Sequence, residues 1–147
     1  MTLVGSIDIE FYDSGTAGDL LTLLRRAGWE DGGETILYQH YRRIEDYPGE
    51  DLSAPISEWD RVCAELDRFS AAGELVQVRL YWEGSGPSIE CVFESATHLR
   101  IHFDGSRPIL ADCHPFTDYS WLLQRILRPW RDADTCILRV DCHDSWY

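Results

Sequence analysis

An α+β domain, a mostly antiparallel sheet with about three helices packed on one face, is the fold class that the sequence predicts. Three observations carry it. Several segments alternate apolar and polar residues with period two, three others repeat apolar residues at helical spacing, and the order runs βαβα, then a series of strands, then αβ.

The first strand is marked by Ile7, Ile9 and Phe11 alternating with Asp8, Glu10 and Tyr12, and Asp13-Ser14-Gly15 breaks it. Leu20, Leu21, Leu23, Leu24 and Ala27 then recur on one helical face. Thr16 with Asp19 three residues on forms the start signal, and Gly28 forms the stop. Residues Thr35 to Tyr41 are β-branched and aromatic enough for a second strand. A long connection from Arg42 to Ser57 leads to a second helix, with Ser57 as cap, Asp60 completing the box, a stripe of Trp59, Val62, Cys63, Leu66 and Phe69, and Gly73 as terminator.

Val76, Val78, Leu80 and Trp82 set one face of the next strand, and Gly84-Ser85-Gly86-Pro87 turns the chain. Ile89, Cys91 and Phe93 mark the following strand, and Leu99, Ile101 and Phe103 the one after it, which ends at the hairpin signal Asp104-Gly105. A short strand at Ile109-Leu110 is expected to close this meander. Pro115 is expected to open a third helix whose face is Tyr119, Leu122, Leu123, Ile126 and Leu127, and Pro129 to stop it. Cys136, Leu138, Val140 and Cys142 alternate in the last strand. If all strands share one sheet, the face away from the helices is wet and carries Asp8, Glu10, Gln77, Arg79, Tyr81, Glu90, Arg100 and His102.

Residues 1–147 suit a single globular domain able to bury a core without staples. The start lacks a basic and then apolar leader, which leads to the expectation of a cytoplasmic protein. Five dispersed cysteines, Cys63, Cys91, Cys113, Cys136 and Cys142, then read as free and mostly buried thiols. The net charge is −13, and every base is Arg, so chemistry that needs a lysine is excluded. Residues 1–74 hold 16 acids and 6 Arg, whereas residues 75–147 hold 10 acids and 7 Arg. Such a lopsided negative field disfavours nucleic acid, which needs a basic footprint, and favours a cationic partner.

Catalytic and metal signals are weak. Cys113-His114 and Cys142-His143 lack zinc-ligand spacing, and buried thiols beside solvent-facing imidazoles are the expected reading. His98 and His102 lie about 13 Å apart along a strand, too far for one metal. Ser145, His143 and Asp144 are contiguous, which cannot form a triad and reads as a tail. Neither a catalytic residue, a metal nor a cofactor is expected.

The unusual segment is the long connection, which clusters Glu45, Asp46, Glu50 and Asp51 about Tyr47. An aromatic anchor within an acidic rim suits an Arg- or Lys-rich surface. The expected partner-binding set is therefore Glu45, Asp46, Tyr47, Glu50 and Asp51, with Asp8, Glu10, Tyr81 and Glu90 on the wet sheet face. The expected role is a binding protein that masks a basic protein partner, a bacterial immunity protein facing a toxin domain being the concrete case, with no nucleic acid and no membrane involved. The alternative from another class is a small ligand-binding domain or enzyme with a pocket between sheet and helices, lined by Trp29, Trp59, Trp82, Trp121 or Trp130.

Overall fold

The computed structural model describes residues 3–13, 15–103 and 106–146, the Asp13 side chain excepted. Eight strands form one antiparallel sheet: β1 (Leu3–Asp13), β2 (Trp29–Glu30), β3 (Thr35–Tyr41), β4 (Leu52–Pro55), β5 (Leu75–Trp82), β6 (Ser88–Ser95), β7 (His98–Phe103) and β8 (Cys136–Trp146). Their order is β4-β3-β5-β6-β7-β1-β8, and β2 extends the β3 side of β5. Helices α1 (Ala17–Ala27), α2 (Trp59–Ala71) and α3 (Tyr119–Asp132) cover one face, so the predicted α+β class holds. None of the described helices is long and apolar enough to cross a membrane.

The core lies between that face and the helices. Ile7 and Ile9, Leu80, Ile89 and Cys91, and Leu99 and Ile101 meet Leu20, Leu21 and Leu24 of α1, Val62 and Leu66 of α2, and Leu122 and Ile126 of α3. Each buried aliphatic side chain contributes about 1.5–3 kcal/mol, so this one cluster dominates the stability. Helix α1 begins where expected, the Thr16 hydroxyl accepting from the Asp19 N–H at 3.1 Å. It ends where Gly28 adopts φ +122°, with the Trp82 ring 3.1 Å from where a Cβ would stand. Any larger residue there meets both backbone strain and a clash.

Several boundaries differ from the sequence expectation. Pro55 opens a 3₁₀ turn over Ile56–Glu58, which places Ser57 inside the turn, and α2 starts at Trp59 with no side-chain cap from its N-cap residue Glu58. The connection 42–57 is not structureless, since it holds a 3₁₀ turn at Ile44–Asp46 and the edge strand β4. Ile109 bridges Thr117 instead of closing the meander, whose β7 is flanked by β1. Pro115 precedes α3 without opening it, because the Asp118 side chain caps the helix by accepting from the Trp121 N–H at 3.1 Å. The hairpin signal Asp104-Gly105 lies outside the described residues.

Pro129 does not stop α3 but sits within it. A proline there leaves the carbonyl four residues earlier, that of Arg125, without its helical donor. The Trp29 indole supplies the missing bond, Nε1–H donating to the Arg125 oxygen at 3.1 Å. Trp29 also packs edge-on against Trp82 and Trp121, at centroid distances of 5.2 and 6.3 Å. Trp29 and Trp130 are fully buried, and Trp59 nearly so, so these rings are core.

In β8 the register against β1 shifts, Arg139 pairing with Glu10 and Ile137 with Phe11. Leu138 is thus the extra residue of a bulge, 61% exposed instead of facing the core. Residues 143–146 are no tail, because His143, Asp144, Ser145 and Trp146 pair with Ser6, Gly5, Val4 and Leu3. Only Cys63 and Cys91 are buried, whereas Cys113, Cys136 and Cys142 are exposed, contrary to the expectation of mostly buried thiols.

Candidate functional site

The face away from the helices carries the residues that alternation assigned to it. Register aligns Arg79 of β5, Glu90 of β6, His102 of β7, Ser6 of β1 and His143 of β8 in one row across five strands. The adjacent row is Gln77, Val92, Arg100, Asp8 and Asp141. Opposite charges meet across strands. Arg79 pairs closely with Glu90, and Arg100 donates from Nε to Asp8 at 2.8 Å while its Nη1 lies 3.3 Å from Glu94.

The connection 42–57 folds back over this face and makes it concave. Gly49 permits the approach, since a Cβ there would stand 2.7 Å from the His40 carbonyl oxygen. Tyr47 lies edge-on to Tyr41 at 5.9 Å, and Tyr41 donates to Gln77 Oε1 at 3.2 Å. Together with Ile44, Val92, Glu90, Glu94, Arg100 and His102 they line a groove of about 360 Å³. A second depression continues from it past Gln39, Asp51 and Arg79, and a third past Ser6, Asp8 and His143.

The groove is electrostatically mixed. Burial, then the nearby Tyr47, Glu90 and Glu94, pushes the Tyr41 hydroxyl up to about 12, so it stays protonated and a donor. Burial, followed by the Arg100 charge, pulls the His102 imidazole below its ordinary value, against the opposing pull of Glu90, Asp8 and Glu94. The bond to Glu90 holds the Arg79 guanidinium more firmly charged.

The predicted partner-binding residues do not share one hollow. Tyr47 and Glu90 line the main groove, Asp51 lines the second depression while accepting from Gln39, and Asp8 lines the third. Tyr81 is half-buried over Gly32 in a further depression. Glu45, Asp46, Glu50 and Glu10 are exposed and line none of these hollows, and Asp46 is turned back to the Arg43 N–H at 3.2 Å. Sequence reasoning thus named the two walls separately and missed that they meet. The residues left unnamed as lining, Tyr41, Ile44, Val92 and Glu94, had one visible signal. Val92 is an apolar residue at an otherwise polar phase of β6, and it is buried because the connection covers it.

Catalytic and metal chemistry find little support in this geometry. Ser6 Oγ and His143 Nε2 meet at 2.7 Å, yet both sit on paired strands where the β1 backbone is bonded on both sides. A nucleophile needs free N–H groups beside it to hold an oxyanion, which such a ladder does not offer. Among the described residues, no group of three or more His, Cys, Asp or Glu could hold a metal ion. Of the five tryptophans expected around an internal pocket, Trp82 borders a shallow cleft beside α1 and α3. Comparison with protein-family models, with curated proteins and with solved structures finds no match to this chain in any of the three.

Proposed function

We propose that the chain is an acidic binding protein that masks a basic protein partner, as an immunity protein masks a toxin, and that the partner sits on the groove beneath Tyr47. The observation that carries this reading is the meeting of the half-exposed Tyr47 ring with the carboxylates of Glu90 and Glu94 in one groove. The exposed Glu45, Asp46 and Glu50 stand on the same connection as its rim. A partly exposed ring offers apolar contact that desolvates on binding, and rim charges of one sign speed encounter with the opposite sign. The net charge of −13 extends that attraction beyond the site.

The test is capture of a partner from a native lysate at low and high salt, followed by association kinetics with the purified partner. Reversing Glu45, Asp46 and Glu50 to Arg should slow association and flatten its dependence on salt. Tyr47→Ala should mainly speed dissociation, costing about 2 kcal/mol, or roughly thirtyfold in affinity. A cognate partner indifferent to all four changes places the contact elsewhere and refutes the reading.

The groove's volume favours a second reading, a small-ligand site, since it falls within the roughly 300–1,000 Å³ of such pockets. That site would lie on the open face, not between sheet and helices.

A further inference from the structure

The two ends of the sheet are not alike. At one end β4 spans 4 residues, while at the other β8 spans 11, and among the described residues no strand pairs its outer side. A long edge with free N–H and C=O groups is a template for another strand, and proteins usually blunt such edges with lysine, proline or an inward charge. The β8 strand has neither lysine nor proline. Its ladder with β1 is irregular at two places, the bulge at Leu138 and a second shift between Ile137 and Cys136, and both leave it regular from Arg139 to Trp146.

The edge is also close to neutral in a chain of net charge −13. Arg139 neutralises Asp141 at 2.6 Å. Asp144 is turned away to the Thr117 N–H, at 3.0 Å, and the Tyr119 hydroxyl, at 2.9 Å. Apolar side chains flank the regular stretch, Leu138 at 61% exposure before it and Trp146 at 51% at its end.

We infer that β8 pairs antiparallel with β8 of a second copy of this chain, joining two sheets into one across a two-fold axis at Cys142. The register follows from geometry and charge. A two-fold perpendicular to the sheet keeps both helix layers on the same side, so opposed residues share a face and the axis must pass through a residue. Centring on Asp141 opposes two carboxylates, centring on His143 opposes two imidazoles, and centring on Val140 drives the bulge at Leu138 into the new ladder. Centring on Cys142 uses the regular stretch from Arg139 to Ser145 without interruption. Asp141 then faces His143 of the second copy, Arg139 faces Ser145, and the exposed Leu138 and Trp146 are brought together.

Because both copies are acidic overall, added salt should strengthen this association, the opposite of its effect on a basic partner. The experiment is sedimentation equilibrium of the full chain over a series of concentrations and NaCl levels. It is paired with thiol coupling in C113S/C136S, where Cys142 is the remaining exposed thiol. Opposed strand residues lie about 4.5–5.5 Å apart at Cα, within disulfide reach. Diamide couples the two thiols by taking up the two electrons and two protons they release.

The expected result is a monomer–dimer equilibrium that tightens with salt and a covalent dimer through Cys142. C142K, which opposes two ammonium groups at the axis, should leave a monomer with an unchanged circular dichroism spectrum. Should C142K fold poorly, H143D on the exposed face serves the same purpose by setting a carboxylate against Asp141 of the second copy. A wild-type chain that stays monomeric at every concentration and salt level overturns the inference, as does a dimer that survives the edge substitution and escapes Cys142 coupling. A monomer that loses its basic partner when the edge is altered also overturns it, because the edge would then take the partner's strand.

Discussion

Replacing Trp29 with Phe probes how α3 accommodates Pro129. Its indole N–H is the donor to the Arg125 carbonyl, at 3.1 Å, in place of the helical N–H that Pro129 lacks. Phe keeps most of the ring but leaves that carbonyl without a strong donor, at a cost of about 1–3 kcal/mol. Weakened edge-to-face packing on Trp82 and Trp121 adds about 0.5–1.5 kcal/mol. The sum is about 1.5–4.5 kcal/mol. In a Pro129→Ala background the helix regains its own N–H at position 129, so Trp29→Phe should cost only the packing part. Urea unfolding of the four proteins, followed by far-ultraviolet circular dichroism at pH 7, measures the cycle. The two substitutions should couple by about 1–3 kcal/mol, the hydrogen-bond part. Additivity within about 0.5 kcal/mol would mean that the indole does not replace the missing bond, and the account of Pro129 inside the helix would be wrong.

Two further predictions concern pH. Asp31 is buried, and among the described residues no other donates a hydrogen bond to its carboxylate. Burial raises its pKa despite the opposing Arg25 charge. A raised folded value means stability that is present at acid pH and lost as pH rises through it, so Asp31→Ala should stabilise by about 1 kcal/mol at pH 7 and gain little at about pH 4. Equal gains at both pH values in urea titrations would contradict this. Asp144 behaves oppositely, because although burial pushes its carboxyl up, the Thr117 hydroxyl and N–H and the Tyr119 hydroxyl outweigh that and hold it below the usual range. Stability from Asp144 is therefore present above the unfolded value and lost as pH falls through the folded one. Asp144→Asn should cost about 1–2 kcal/mol at pH 7, water at this half-buried position limiting the loss, and the gap should close in acid. A gap independent of pH would remove the charge from the explanation.

The period-two and helical patterns were legible wherever one side of an element faces the core. Ile7, Ile9 and Phe11, the β5 to β7 strands and Leu20, Leu21 and Leu24 of α1 fall on the predicted faces because a one-residue slip would expose the whole set, whereas Ala27, expected on the same helical face, is exposed at the end of α1. Boundaries were less legible, because distant partners decide them. No local signal reports that an indole from β2 rescues the carbonyl opposite Pro129, or that Pro55 starts a 3₁₀ turn and so displaces Ser57 from its cap. The bulge that turns Leu138 outward arises from the β1 pairing, which a strand read alone does not show. Of the site, both walls could be named from composition, the acidic connection and the polar strand phase. Their meeting depends on Gly49 letting the connection approach β3, a contact distant from either pattern.

The distribution of the indoles decides how this protein can be watched with light. Trp29, Trp59, Trp82, Trp121 and Trp130 belong to the helix-covered side, away from the groove, while Trp146 lies half-exposed on β8. Emission colour follows the water around an excited ring, so occupation of the groove should leave the tryptophan spectrum nearly unchanged even at saturation. Unfolding should shift it to the red, and burial of the β8 edge should shift the Trp146 contribution to the blue. Partner titrations followed by intrinsic fluorescence would then register binding at the edge and pass over binding at the groove, where the absorbance of Tyr41 and Tyr47 is the available signal.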